Sequence, residues 1–286
     1  MEGIVVRKAR QEDRDKVLSF CVGTFDWGDY IDEVFDSWLK GPDSLLLVAE
    51  ADGSPVGVLH ARLMNHGRGW LEGLRVHPSH RRMGVGRAMT EKAIALLRES
   101  GHRTLRLLVE SNNEASMALA VNQGFNEETR WAFYHGKEPA PADSKGSRWV
   151  TSSTAPGIWR LTDSSDLFNR GGRSYEYDWA LYPLEADDFI DLVKRRMVAV
   201  SGRGSTMALG TFHDGKKDGR MARACFVMGD APQVTDLAAF VTSAAAKAGA
   251  RKLNVSCPNQ AGTVEGLKAY GFRPAFRSSV VYLRDV

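Results

Sequence analysis

The run Leu74-Arg75-Val76-His77-Pro78-Ser79-His80-Arg81-Arg82-Met83-Gly84-Val85-Gly86-Arg87 constrains the fold more than any other part of the chain. Its spacing predicts an apolar strand that passes through a glycine-spaced turn straight into an amphipathic helix. A helix that opens in this way aims its first backbone N–H groups at one point, with no acceptor inside the helix. The macrodipole adds partial positive charge there, so the point suits a phosphate or pyrophosphate. A side chain at Gly84 or Gly86 would hold an anion away from those amides. Arg81, Arg82 and Arg87 bring mobile positive charge to the same place.

The surrounding pattern is that of an α/β (α+β) fold. Ser44–Glu50 and Val56–Leu63 read as strands joined by Asp52-Gly53-Ser54-Pro55, which is hairpin chemistry. Trp70–Val76 is a third strand. Val85, Met89, Ala93 and Leu96 then recur at helical spacing until Ser100-Gly101, a glycine exit. Strand Leu105–Val109, helix Glu114–Gln123 and strand Glu127–His135 complete a first domain. Residues 137–154 are polar and rich in Pro, Gly and Ser, with one short strand possible in Arg148-Trp149-Val150-Thr151. The expected division is therefore a domain over 1–140, a linker over 141–155 and a second domain over 156–286.

The second half reads as a worn copy of the first. Arg160-Leu161-Thr162-Asp163-Ser164-Ser165-Asp166 echoes Arg7-Lys8-Ala9-Arg10-Gln11-Glu12-Asp13, and Tyr270-Gly271-Phe272 repeats Gln123-Gly124-Phe125. Where a phosphate cradle should follow strand Met221–Met228, the copy has Gly229-Asp230-Ala231-Pro232-Gln233 before helix Val234–Ala248. Pro232 has no N–H to give, and the Asp230 charge repels an anion. The copy is expected to be non-catalytic and not to bind a phosphorylated ligand in this manner.

Two ordered patterns carry a resemblance to a known family. The first is Leu74-x-Val76-x-Pro78-x-x-Arg81-x-x-Gly84-x-Gly86, and the second is Leu107-x-Val109-x-x-x-Asn113-x-x-Ser116-x-x-Leu119-x-x-x-x-Gly124-Phe125. Together they resemble the acetyl-CoA signature of the GNAT N-acetyltransferase superfamily, over roughly residues 3–136, in a tandem form with a degenerate second copy. The resemblance implies two mixed sheets flanked by helices and acetyl-CoA as acyl donor. It implies coenzyme contacts at Leu74, Arg75, Val76, Arg81, Arg82, Met83, Gly84, Val85, Gly86, Arg87, Asn113 and Ser116. It also implies that the pantetheine arm pairs with the main chain of Leu74 and Val76 as an added strand. A backbone N–H near Leu74 would face the thioester oxygen, worth about 2.7–4 kcal/mol on the barrier. Many relatives carry a tyrosine just after the Leu119 position to protonate the leaving thiolate. This chain has Ala120, and Tyr134 is the substitute donor weighed against a structural role.

Acyl transfer to an amine also needs a proton acceptor, and Glu72 is the candidate catalytic base. It stands two residues before Leu74, hence on the same strand face, in an otherwise apolar run. Partial desolvation raises the proton affinity of such a carboxylate. The alternative is that Glu72 pairs with Arg62 or Arg75. In the family the segment after the first helix forms one wall of the acceptor groove. Asp26, Asp29 and Tyr30 are the substrate-binding candidates there, with aromatics and carboxylates suited to a cationic amine. A capped helix start with core aromatics is the plainer reading of the same residues.

Charge and cysteines bound the rest. Residues 1–145 hold 19 Lys and Arg against 21 Asp and Glu, and residues 146–286 hold 19 against 14, so the halves carry −2 and +5. No basic stripe interleaved with aromatics appears, which argues against nucleic acid. No apolar run spans a bilayer, and the start lacks the apolar core of a signal peptide. Cys21, Cys225 and Cys257 are odd in number and far apart, as in a cytoplasmic protein. The histidines show no paired spacing, so no metal is expected. The expected partner is a small-molecule or amino-acid amine, with a peptide amine second, acting on a monomer or homodimer. A non-catalytic acyl-CoA-sensing module and a transferase of longer acyl chains are the alternatives.

Overall fold

The structure, a computed structural model, describes residues 3–24, 28–202, 206–215, 219–275 and 278–286, with the backbone alone described over 206–215 and 219–220. The first half contains β1 (Ile4–Lys8), α1 (Arg14–Cys21), α2 (Ile31–Lys40), β2 (Ser44–Ala51), β3 (Ser54–Met64), β4 (Arg68–Val76), α3 (Val85–Glu99), β5 (Thr104–Glu110), α4 (Glu114–Asn122) and β6 (Asn126–His135). Then come β7 (Arg148–Trp149), α5 (Ala155–Asp163), α6 (Asp166–Arg170), β8 (Ser174–Tyr177), β9 (Ala180–Pro183), α7 (Ala186–Lys194) and β10 (Val198–Ser201). The chain closes with β11 (Thr206–Gly215), β12 (Gly219–Met228), α8 (Ala231–Lys247), β13 (Lys252–Pro258), α9 (Ala261–Tyr270), β14 (Arg273–Pro274) and β15 (Ser279–Asp285). Among the described residues no helix is long and apolar enough to cross a membrane. All three cysteines are free and buried.

The chain groups into two compact units, and their boundaries differ from the expected cut. The first unit comprises residues 1–108, 114–126 and 282–286; the second comprises 109–113 and 127–281. The strand that follows α4 thus belongs to the second unit, and the last residues of the chain belong to the first. Both strands follow a helix that ends at Gly-Phe, and their similar apolar patterns do not say which sheet each joins. In the second unit, β6 pairs antiparallel with β13, Val255 lying opposite Tyr134. In the first, Val286 N–H donates to Arg103 O at 2.8 Å.

The expected linker is also part of the second unit. Trp149 of β7 pairs with Ala199 of β10, and the Lys145 and Gly146 amides donate to Asp236. The Arg160 echo of Arg7 does not hold. Arg160-Leu161-Thr162 lies in helix α5, where Ile158 and Thr162 are buried one turn apart, whereas Arg7-Lys8 ends a strand.

In the first unit, β1 to β4 run antiparallel in sequence order, and β5 is parallel to β4. Residues Asp52 and Gly53 both take positive φ (48° and 75°) in the tight β2–β3 turn. One face of the hairpin packs Val48 and Val58 against Val17, Phe20, Ile31, Phe35 and Trp38 of α1 and α2. Burying each such side chain stabilises the fold by about 1.5–3 kcal/mol. The other face receives α3 through buried Met89, Ala93 and Leu97. Glycine lets that helix come close: a Cβ at Gly57 would lie 2.8 Å from Met89 Sδ.

The second unit orders its strands β6-β13-β12-β11-β10-β7, with β14 also on β6 and β8–β9 as a separate hairpin. Here α8 supplies Val234, Leu237, Val241 and Ala245 to a core with Ala222, Ala224, Leu253 and Val255.

Candidate active site

Two features of the first unit's backbone interrupt its sheet beside α3. Along β3–β4, Val58 pairs with Arg75 but His60 pairs with Glu72, so β4 carries one extra residue at Gly73–Leu74. Gly73 takes φ 67°, and a Cβ there would sit 2.7 Å from the Trp38 ring. The pairing of β4 with β5 ends just before this bulge. Their parallel register runs from Arg68–Thr104 to Leu71–Leu107 and stops. Leu74 and Val76, the residues expected to pair with an extended ligand, lie beyond that point. The Leu74 and Val76 carbonyls accept from Arg75 Nη1 at 3.1 Å and Arg81 Nε at 3.2 Å.

The turn after β4 is the expected cradle. A 3₁₀ turn over Pro78–His80 leads to Arg82 at φ 64° and Gly84 at φ 82°, and α3 starts at Val85 with no side-chain cap. Positive φ at a non-glycine residue is the geometry that turns successive amides toward one concavity. Gly86 is informative because the protein does not require it. A Cβ there would meet Leu74 and Leu119 at an ordinary 3.5 Å. Val85 is buried in the core and offers only its main chain, while Arg81, Arg82 and Met83 are exposed. The Arg87 side chain bonds Glu91 at 2.8 Å along α3. Ser116 lies in the first turn of α4. Asn113 precedes it, in the 109–113 segment grouped with the second unit, and its N–H donates to Glu110 O.

Glu72 does not stand alone. Arg62 Nε and Nη2 reach its two oxygens at 2.5 and 3.1 Å, and His60 Nδ1 lies 2.8 Å from Oε1. Of the two readings of Glu72, pairing with Arg62 is the one the structure bears out, and β3 presents His60 on the same face as well. His60 is 1% exposed, stacks on Trp38 at 4.1 Å, and meets the Ser44 hydroxyl through Nε2 at 2.6 Å. Ser44 has one proton and two acceptors in reach, His60 Nε2 and Trp38 O at 2.5 Å. Burial pushes the His60 pKa down, opposed by its bond to Glu72. The neutral ring is therefore favoured. The Ser44 hydroxyl donates to Trp38 O, and His60 lies between Ser44 Oγ at Nε2 and Glu72 Oε1 at Nδ1. Sequence reading passed over His60, Ser44 and Trp38 as site residues; the hairpin register opposite Glu72 is the signal that could have found them.

The acceptor-wall candidates divide. Asp26 lies outside the described residues. Asp29 is buried against Arg75, with bonds of 2.6 and 3.0 Å, and its Oδ1 also accepts the Ile31 N–H at the start of α2. Arg75 in turn lies over the Tyr30 ring at 5.3 Å. Burial pushes the Tyr30 hydroxyl up, with Arg75 opposing. Tyr30 also meets Trp38 edge-on at 6.0 Å, which ties this segment to the His60–Glu72 network. Of the two leaving-group positions, Ala120 is buried and brings no hydroxyl. Tyr134 is buried in the second unit's core, its hydroxyl pushed up to about 12 by desolvation.

The corresponding helix pair of the second unit is closed. Pro232 stands in the first turn of α8 after Asp230. A Cβ at Gly262 would lie 3.1 Å from Gly229 O, and one at Gly266 would lie 2.6 Å from Ala231 O. The backbone of α9 thus fills the space beside the start of α8. Thr235 Oγ1 donates to Gly266 O at 3.1 Å, and Gly229 N–H donates to Thr263 Oγ1.

Comparison with known proteins agrees with this geometry. Residues 10–125 match the sequence model described as Acetyltransferase (GNAT) family. The chain is 34% identical over 100 residues to mycothiol acetyltransferase of Clavibacter sepedonicus, covering 35% of this chain and 32% of that protein. It is 29% identical over 91 residues to histidine N-acetyltransferase of Xenopus tropicalis, covering 32% and 28%. The chain thus spans about a third of the length of these curated relatives. In structure it is similar to a tandem GNAT protein from the clavulanic acid biosynthesis pathway, with TM-score 0.56, 16% identity, and 99% and 98% of the two chains covered. That likeness shows the fold over the whole length. Residues 10–125 are an acetyltransferase domain of the GNAT family, set in a chain with the tandem GNAT fold.

Proposed function

We propose that this chain is an acetyl-CoA-dependent N-acetyltransferase whose first unit carries both the coenzyme and the chemistry. The observation that carries the reading is the uncapped start of α3, with Gly84 and Gly86, beside a β4 that has left β5. The amides at the start of α3 and the arginines of 81–87 suit the diphosphate. The main chain of Leu74 and Val76 suits the pantetheine arm, and Ser116 is its further expected contact in that unit.

The transfer is direct. The amine nitrogen forms a bond to the thioester carbon, and the carbon–sulfur bond breaks. The amine proton passes to Glu72, and the thiolate leaves without a hydroxyl at position 120 to protonate it. We assign Glu72 as the catalytic base and His60 as its positioning residue. The carboxylates Glu72 and Asp29 face arginines, Arg62 on Glu72 and Arg75 on Asp29. The acceptor we infer is a small amine or amino acid bound in its neutral form, its apolar part on Trp38 and Tyr30. The likeness to a histidine N-acetyltransferase supports an amino-acid acceptor; a peptide amine is second. The second unit, with α9 against α8, does not take the coenzyme.

Buried Ala120 favours one rival, a coenzyme-sensing module without turnover. Release of free thiol from acetyl-CoA across a panel of amines separates the two. Glu72→Gln should lower kcat about 10²-fold or more with coenzyme affinity intact. Coenzyme binding with no thiol release on any amine, and no effect of Glu72→Gln, establishes the sensor instead.

A further inference from the structure

The second unit holds a recess that the transferase reading does not use. Along β6, β12 and β13, residues Tyr134, Ala222, Ala224 and Val255 enter the core under α8. The alternate residues Phe133, Arg223, Asn254 and Ser256 therefore face the other side of that sheet. Together with Glu176 and Trp179 of the β8–β9 hairpin they line a recess. Arg223 Nε is buried there with no hydrogen-bond partner among the described residues. A buried guanidinium N–H without an acceptor is unfavourable, and a charged donor makes that more severe.

Glu176 does not answer it. Both of its oxygens are engaged elsewhere, Oε1 by the Trp179 N–H at 2.7 Å and Oε2 by the Ser256 hydroxyl at 2.9 Å. Burial pushes its carboxyl up, and Arg223 acts on it in the opposite direction. What Glu176 does is hold a turn. Asp178 and Trp179 both take positive φ, 51° and 64°, at turn positions where glycine or asparagine is the unstrained choice. The strained turn places the Trp179 indole against Phe133, with centroids 5.3 Å apart and planes at 28°, yet leaves the residue 51% exposed. A half-exposed tryptophan thus forms one wall of the recess.

We propose that this recess is a second ligand site that takes a small monocarboxylate with a flat apolar body. Arg223 receives the carboxylate through its planar fork of N–H donors. The indole of Trp179 covers the flat body. Glu176 sets the charge limit, since a dianion beside that carboxyl is repelled whereas a single negative charge is balanced by Arg223.

The probe is 4-bromobenzoate with the full-length chain. Calorimetry should show one site, weakened at least tenfold by Arg223→Met and by Trp179→Ala, and unaffected by saturating acetyl-CoA. Anomalous scattering from bromine in a soaked wild-type crystal should place the ring at Trp179, which keeps the test independent of whether either variant folds. No binding by the wild type, binding unchanged in a folded Arg223→Met, competition by acetyl-CoA, or preference for 4-bromobenzylamine over the carboxylate would each overturn the proposal.

Discussion

Gly86→Ala separates what the fold needs from what the coenzyme needs. The new Cβ meets Leu74 and Leu119 at 3.5 Å, an ordinary contact, so nothing in the protein has to move. Replacing a helical glycine by alanine stabilises a helix by about 0.5–1 kcal/mol, and the second position of α3 should give the lower end. For a protein of this size that is a rise in Tm of roughly 1–3 °C. On the proposed reading, the same methyl group stands where the diphosphate approaches the helix amides. A tenfold loss of affinity is the smallest effect this reasoning allows, equal to about 1.4 kcal/mol. At a coenzyme concentration of 100 times the wild-type Kd, binding stabilises the wild type by about 2.7 kcal/mol and the variant by only ~1.4 kcal/mol. Thermal melts with and without acetyl-CoA read both numbers in one experiment. A variant that melts higher but responds less to coenzyme supports the cradle. A coenzyme response equal to that of the wild type refutes it.

Two further outcomes follow from the buried charges. Removing one partner of the Arg75–Asp29 pair leaves a buried charge unmatched, so Arg75→Met should cost about 3–5 kcal/mol in urea unfolding. The double variant Arg75→Met/Asp29→Leu should recover most of that loss; equal instability of single and double variants would show that Arg75 acts through its packing on Tyr30 instead. For His60, burial holds the folded-state pKa below the ordinary 6.5. Above pH 6.5 both folded and unfolded chains carry a neutral ring, and this group adds no pH dependence. Below it the unfolded chain binds a proton that the folded chain refuses, so stability is lost as pH falls from 6.5 toward the folded value. The wild type should lose stability over that range, and His60→Gln should remove this component of the slope; an unchanged slope would mean the ring is already charged in the fold.

Local features were legible because local rules set them. The glycine turn, the Asp52–Gly53 hairpin and the α3 stripe each follow from spacing within a few residues, and α3 begins at Val85 as its pattern implies. The state of Glu72 was legible only as a choice, between a base in an apolar run and a partner of Arg62 or Arg75. It depends on a bulge at Gly73 that decides which β3 residues stand opposite, and so on Arg62 and His60, ten and twelve residues back. Asp29 reads as a helix cap and is one, yet its main partner is 46 residues away. Partner choice at that distance depends on packing rather than on pattern. The strand after α4 shows the same limit: period-two alternation fixes which face of β6 is buried, not which sheet receives it.

Glycine has opposite uses in the two units, and this accounts for their divergence on one architecture. In the second unit the missing side chains at Gly262 and Gly266 are replaced by the backbone of the α8 start, within 2.6–3.1 Å. Those two helices gain close packing and lose any room for a ligand between them. In the first unit a Cβ at Gly86 would meet only side-chain ends, Leu74 and Leu119 at 3.5 Å, and Gln123 Nε2 reaches the Gly86 carbonyl at 3.5 Å. An open helix start exposes donors that the protein itself does not satisfy. Such a cost persists in a fold when something outside the chain supplies the acceptors. The closed pair needs no such partner, and it coexists with a proline and an aspartate that would repel one. Whether a copy keeps its cradle thus follows from how near its second helix stands, and two glycines on that helix set the distance.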